Sequence, residues 1–256
     1  MNWRVLDRAM TLFAETLKSW RKMRRLSQLD LAAHADISGR HLSFLETGRA
    51  RPSRGMVLRL SEALQMPLDA SNQFLTQAGF AAKYGKHKWS DDQMAPIRQA
   101  VERTLSNHMP YPGLALDGRW RILQANQTAT GLFGQFGYGV GDSLIDLMVS
   151  GILADIVENW PVVAQAAAAR LRVESVAQGG VPEFDRASSH LAQFGSQPER
   201  AKNPVIPTIF SVGGMRLSMF ATIAQIGTPE EVMLDDFKIE LYFPMDKETG
   251  KAFEKI

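Results

Sequence analysis

Apolar residues near the start of the chain recur at helical spacing. Leu12, Phe13, Leu17 and Trp20 lie on one such stripe and predict an amphipathic helix ending near Arg24. Ser27 followed by Asp30 makes a capping-box start, with Asp in place of the usual Glu or Gln. A second helix is then expected from Gln28 to about Ala35, with Asp36 in the turn that follows. Ile37 plugs the angle between helices, and Ser38 caps a third helix spanning about Gly39 to Thr47. Leu42 and Leu45 are three apart and must face inward, which leaves Gly39, Arg40, Ser43 and Phe44 on or beside the outer face. Gly48 stops that helix, being tolerant of positive φ. Met56, Val57, Leu60, Ala63 and Leu64 mark the inner side of a fourth helix, and a short fifth runs from Leu68 to Ala78. The pattern predicts an all-α bundle of five helices, two of them joined by a tight turn.

The pattern changes after that. Residues 79–94 are mostly polar, with two glycines and three lysines, and read as a hinge. Ile97, Val101 and Leu105 share one face of a helix from about Ala95 to Asn107, which Met109-Pro110-Tyr111-Pro112-Gly113 breaks. Two short strands then flank an Asp117-Gly118 turn, a hairpin signal, and Asn126 caps a helix to about Gly134. Helical segments are expected at 142–149, 151–158, 161–176 and 183–194. Strands follow at Thr208–Val212 and Met215–Ala224, on either side of Gly213-Gly214, and at Phe237–Phe243. Five strands and several helices predict an α+β domain with an antiparallel sheet.

Charge separates the same two regions. Residues 1–90 hold 15 Lys/Arg against 7 Asp/Glu, a net of +8; residues 91–256 hold 14 against 20, a net of −6. A basic first third suits a phosphate-binding module, whereas DNA would repel the acidic remainder. The 256 residues allow two domains of ordinary size. No stretch approaches the ~18 apolar residues of a membrane span. The first residues carry Arg4, Asp7 and Arg8 and do not read as a signal peptide. Cysteine is absent, which excludes disulfides and thiolate metal sites and fits a cytoplasmic setting.

The first region resembles the helix-turn-helix domain of the Cro/C1-type (XRE) repressor family, a lambda-repressor-like fold. The residues that carry the resemblance are Arg21, Ser27 to Ala32 (S-Q-x-x-L-A), Ile37–Ser38, Leu45 to Arg49 (L-E-x-G-R) and Pro52–Ser53. Asp36 stands where the family usually has Gly, and Asp tolerates the left-handed turn. Gly39 stands where a longer side chain often reads a base. The resemblance implies a buried ion pair between Arg21 and Glu46; a surface pair is the alternative. It places Gln28 at a helix N-terminus that can hold a phosphate. Ser38 and Gly39 open the recognition helix. Arg40 can fork onto guanine O6 and N7, and Ser43 can reach a base or a phosphate. Phe44 either touches a thymine methyl or is packed. Arg49, Arg51 and Arg54 are phosphate candidates.

Tyr111 to Asn126 (Y-P-G-L-A-L-D-G-R-W-R-I-L-Q-A-N) resembles the opening of PAS-type sensor domains. Behind a helix-turn-helix it resembles the MmyB-like regulators, and Leu171–Arg172 fits them too. That resemblance implies a PAS-like domain holding a small, fatty-acid-like ligand. Trp120, Phe133, Phe136, Leu147, Met148, Trp160, Phe210, Met219 and Phe220 are candidates to line a pocket, or plain core. Arg170 or Arg172 would pair with a ligand carboxylate, or end a helix in solvent. The expected organisation is 1–80 for the helix-turn-helix domain, 81–108 for a linker and connecting helix, and 109–256 for the PAS-like domain.

Catalysis finds little support. His34, His41, His87, His108 and His190 show no metal spacing, no cofactor ligand can be assigned, and Ser188-Ser189-His190 is no triad without a placed acid. The expected protein is a sequence-specific regulator of double-stranded DNA, acting as a homodimer under control of an apolar or carboxylate ligand. The rival is a ligand-independent regulator whose second domain only dimerises or contacts protein. The dimer contact is expected in the helix at 95–107, in the sheet, or in Met1–Met10. One recognition helix buries too little surface for high specificity.

Overall fold

The computed structural model describes residues 3–195, 204–227 and 229–254, with side chains from residue 10 onward. The side chains of residues 1–9, and with them most of the expected dimer contact at Met1–Met10, lie outside the described residues. The chain divides into two compact units.

The first is built on α1 (Trp3–Met23), α2 (Gln28–His34), α3 (Gly39–Glu46), α4 (Arg54–Ala63) and α5 (Leu68–Gln77). Serines set three of the starts. Ser27 and Asp30 form the reciprocal capping box of α2, Ser38 Oγ accepts from His41 N, and Ser53 Oγ accepts from Met56 N. Asp36 takes φ +51° between α2 and α3, the left-handed turn expected of it. Phe13, Leu17, Leu31, Leu42, Leu45, Leu60 and Phe74 are fully buried in one core, where the Phe13 and Phe74 rings stack 4.3 Å apart. Leu12 differs from expectation and is 48 % exposed. The buried stripe of α1 is Phe13, Ala14, Leu17 and Trp20, and Leu12 stands about one residue, roughly 100°, off it.

The second unit holds α6 (Ala95–Asn107), β1 (Gly113–Leu116), β2 (Ile122–Ala125), α7 (Gln127–Gly134), α8 (Leu144–Val149), α9 (Ile152–Ile156), most of α10 (Trp160–Ala177), α11 (Pro182–Leu191), β3 (Thr208–Val212), β4 (Met215–Ala224), most of α12 (Val232–Asp235), β5 (Lys238–Pro244) and α13 (Lys247–Phe253). The five strands form one antiparallel sheet in the order β2-β1-β5-β4-β3. On one face, Val101 and Leu105 of α6 pack with Ala115, Phe237 and Ile239.

The first hairpin departs from a two-residue Asp-Gly turn. Its loop runs from Asp117 to Arg121, whose backbone closes it with a 3.0 Å hydrogen bond from Asp117 N to Arg121 O. The Asp117 carboxylate accepts from the backbone N–H of Arg119 and Arg121, so it organises the loop from inside. Trp120 adopts φ +62° and is only 4 % exposed. A bulky residue rarely takes that conformation, and here it turns the indole inward.

Candidate DNA interface and ligand pocket

A carboxylate ties the C-terminal end of α3 to α1 and to the start of α2. Arg21 Nε donates to Glu46 Oε1 at 2.6 Å, and its second terminal nitrogen donates to Oε2 at 2.9 Å. The other terminal nitrogen donates to Leu26 O, and Gln28 Nε2 donates to Glu46 Oε2 at 2.7 Å. The Glu46 side chain is 2 % exposed and that of Arg21 12 %, so the pair is buried. Burial pushes the Glu46 carboxyl up, but the hydrogen bonds from Arg21 and Gln28 and the Arg21 charge outweigh it and hold the carboxyl below its ordinary value.

The Gln28 amide therefore faces Glu46, and what α2 offers outward at this point is its N-terminal backbone. Ser38 is exposed, Gly39 half-buried and Arg40 exposed, with the Arg40 guanidinium 5.4 Å from the ring centre of the half-buried Phe44. Ser43 is half-buried one turn after Gly39. Arg49, Arg51 and Arg54 are all exposed around the buried Pro52, and none of them, nor Arg40, makes an ion pair among the described residues. Four cations thus border the outer side of α3.

In the second unit a cavity of about 270 Å³ lies between the sheet and α7–α10. Trp120, Phe133, Met148, Trp160, Arg170 and Phe210 line it, as does Leu147. Four expected residues do not. Phe220 alternates with Ala221, which faces the cavity, and stacks on Phe243 on the other side of the sheet. Arg172 is exposed, because α10 presents Val163, Ala166, Ala167 and Arg170 to the cavity and Arg172 points elsewhere. Phe136 lies beyond the end of α7, half-buried and outside the lining. Met219 is buried core.

One wall is polar, and sequence reasoning missed most of it. Lys238, Glu240 and Tyr242 alternate along β5 and share one face. Glu240 and Tyr242 line the cavity, and Lys238 and Glu240 are 3 % and 4 % exposed. Arg170 donates to Glu240 Oε1 at 2.8 Å, and the Tyr242 hydroxyl donates to Oε2 at 3.2 Å. The Arg170 and Lys238 cations stand 4.2 and 4.9 Å from the Trp120 ring. Burial, and then the Glu240 charge, push the Tyr242 phenol well above its ordinary value. Elsewhere in the lining, the indole Nε1 of the buried Trp160 has no hydrogen-bond acceptor among the described residues. The missed signal was the alternation K-I-E-L-Y, which reads as a strand with one wet face.

No cluster of metal-ligating residues occurs among the described residues, and no helix of theirs is long and apolar enough to cross a membrane. A helix-turn-helix domain family matches residues 12–74, and the MmyB-like transcription regulator ligand binding domain matches residues 97–256. No curated protein matches the chain. The second match starts inside α6 and covers more than half of the sequence. The chain belongs to the MmyB-like transcription regulators, and is a helix-turn-helix, DNA-binding member of that family.

Proposed function

We propose that this regulator binds a specific operator as a homodimer in the cytoplasm, and that a small apolar acid in the sheet cavity controls its affinity. The observation that carries the ligand reading is the Arg170–Glu240–Tyr242 cluster on one wall of an otherwise apolar cavity. A buried ion pair contributes little stability over well-packed apolar residues, so one that borders a cavity is suited to a ligand. Arg170 lines the cavity with 30 % of its side chain exposed, enough to receive a carboxylate. The volume, near the lower end of small-molecule pockets at ~300 Å³, favours a medium-length chain. Ligand binding then shifts the half-site geometry of the dimer, and with it operator affinity.

On the DNA side, Arg40 and Ser43 read bases, Phe44 packs beside Arg40, and Arg49, Arg51 and Arg54 seat the domain on phosphates together with the backbone at Gln28, Ser38 and Gly39. Arg40→Ala should relax base preference at one base pair, at a cost of roughly 1–3 kcal/mol. Arg51→Ala should weaken all sequences alike and lower the salt slope by about one. Operator titrations at several salt concentrations, with and without octanoate, check both sites. Unchanged base preference in Arg40→Ala would sink the reading role. Operator affinity indifferent to octanoate, with no small molecule retained in native mass spectra of cell-purified protein, would favour a second domain that serves only for dimerisation or protein contact.

A further inference from the structure

The recognition helix α3 opens on a residue without a side chain, and a leucine occupies the vacated place. Leu29, the second residue of α2, is 75 % exposed, more than any other large apolar residue described. Its Cδ2 lies 3.2 Å from where a Cβ on Gly39 would stand. The tip of Leu29 therefore lies against the place where a side chain at position 39 would begin. Gly39 is not there for its backbone: it is helical, without positive φ, and a Cβ on it would meet nothing else within 4 Å. Without a side chain at position 39, Leu29 can rest against the start of α3.

Leu29 lies outside the core of this unit and next to the first residue of the recognition helix. It makes sense against an apolar group brought by the partner. DNA offers one such group in the major groove, the C5 methyl of thymine. We propose that Leu29 reads a thymine methyl next to the base pair contacted by Arg40, taking over the place that Gly39 leaves empty. The inference rests on α3 lying in the major groove, and it adds an apolar contact from α2 to those of the recognition helix.

The experiment uses the full-length protein and an operator selected by it from a random duplex pool. Each thymine is then replaced in turn by deoxyuridine, which removes only the methyl group. Wild type should lose about three- to fivefold in affinity at one thymine of each half-site, the loss of one buried methyl. Leu29→Ala should bind more weakly than wild type and show no loss at that thymine. Gly39→Ala, whose Cβ presses on Leu29, should blunt the same loss. Thermal melts confirm that the variants fold, which an exposed position permits. If every deoxyuridine substitution affects wild type and Leu29→Ala equally, the leucine reads nothing and the inference falls. If no duplex is selected at all, the DNA-binding reading falls as well.

Discussion

Arg21 meets Glu46 through two hydrogen bonds of 2.6 and 2.9 Å, while Arg170 meets Glu240 at 2.8 Å beside a cavity. The chemistry is the same and the surroundings differ. Around Glu46, Gln28 and the Leu26 carbonyl complete the donors and acceptors, and both side chains are nearly out of water, at 12 % and 2 % exposed. Around Glu240, Tyr242 contributes a hydroxyl, but Arg170 stays 30 % exposed on the wall of a cavity. A closed pair fixes the angle between α1 and α3 and has nothing left to bind. An open pair keeps charge next to a volume that a ligand can fill.

The largest expected effect breaks the closed pair. Arg21→Ala leaves the Glu46 carboxylate buried with Gln28 alone, and should cost about 3–5 kcal/mol, read from urea or thermal unfolding of the helix-turn-helix unit. A loss under 1 kcal/mol would mean that the pair behaves like a surface bridge.

A smaller effect sharpens the open pair. Glu240→Gln keeps the shape but removes the carboxylate that competes with a ligand acid for Arg170. Octanoate should then bind about tenfold tighter, while octanol binds as before; calorimetric titration of both probes decides it. Equal gains for the two would mean that the polar wall does not recognise the acid.

The smallest effect is in pH. The Glu46 carboxyl is held below its ordinary value of 4.5 in the folded protein. Its stabilisation is therefore complete above that value, and is lost as pH falls through the lower folded value. The stability gap between wild type and Arg21→Ala should be widest at neutral pH and narrow in acid. A gap that stays constant from pH 7 to pH 3 would show that Glu46 keeps no such pairing.

The helix-turn-helix was legible because its signals are local. Ser27 with Asp30, Ser38 at a cap, Asp36 in a left-handed turn and the Leu42/Leu45 spacing each act within a few residues. The strand order was not legible, because pairing β1 with β5 joins Ala115 to Ile239, far apart in the chain. Glu240 and Tyr242 escaped for a related reason. Alternation along a strand shows that two faces differ, but not that helices cover both. Arg172 and Phe220 were expected in the pocket on residue type, and helix phase and strand alternation turned them away.

The sequence by itself determined the first unit: its caps, its turn, its inward leucines and the outward arginines, together with the family of the whole chain. Local backbone preferences and the period of apolar residues carry that information within a few turns of helix. Tertiary structure decided which charges are closed and which stay open. Arg21 and Arg170 look alike as letters. Only packing shows that one is sealed by Gln28 and Leu26 and the other lines a cavity, because burial depends on what distant segments bring together.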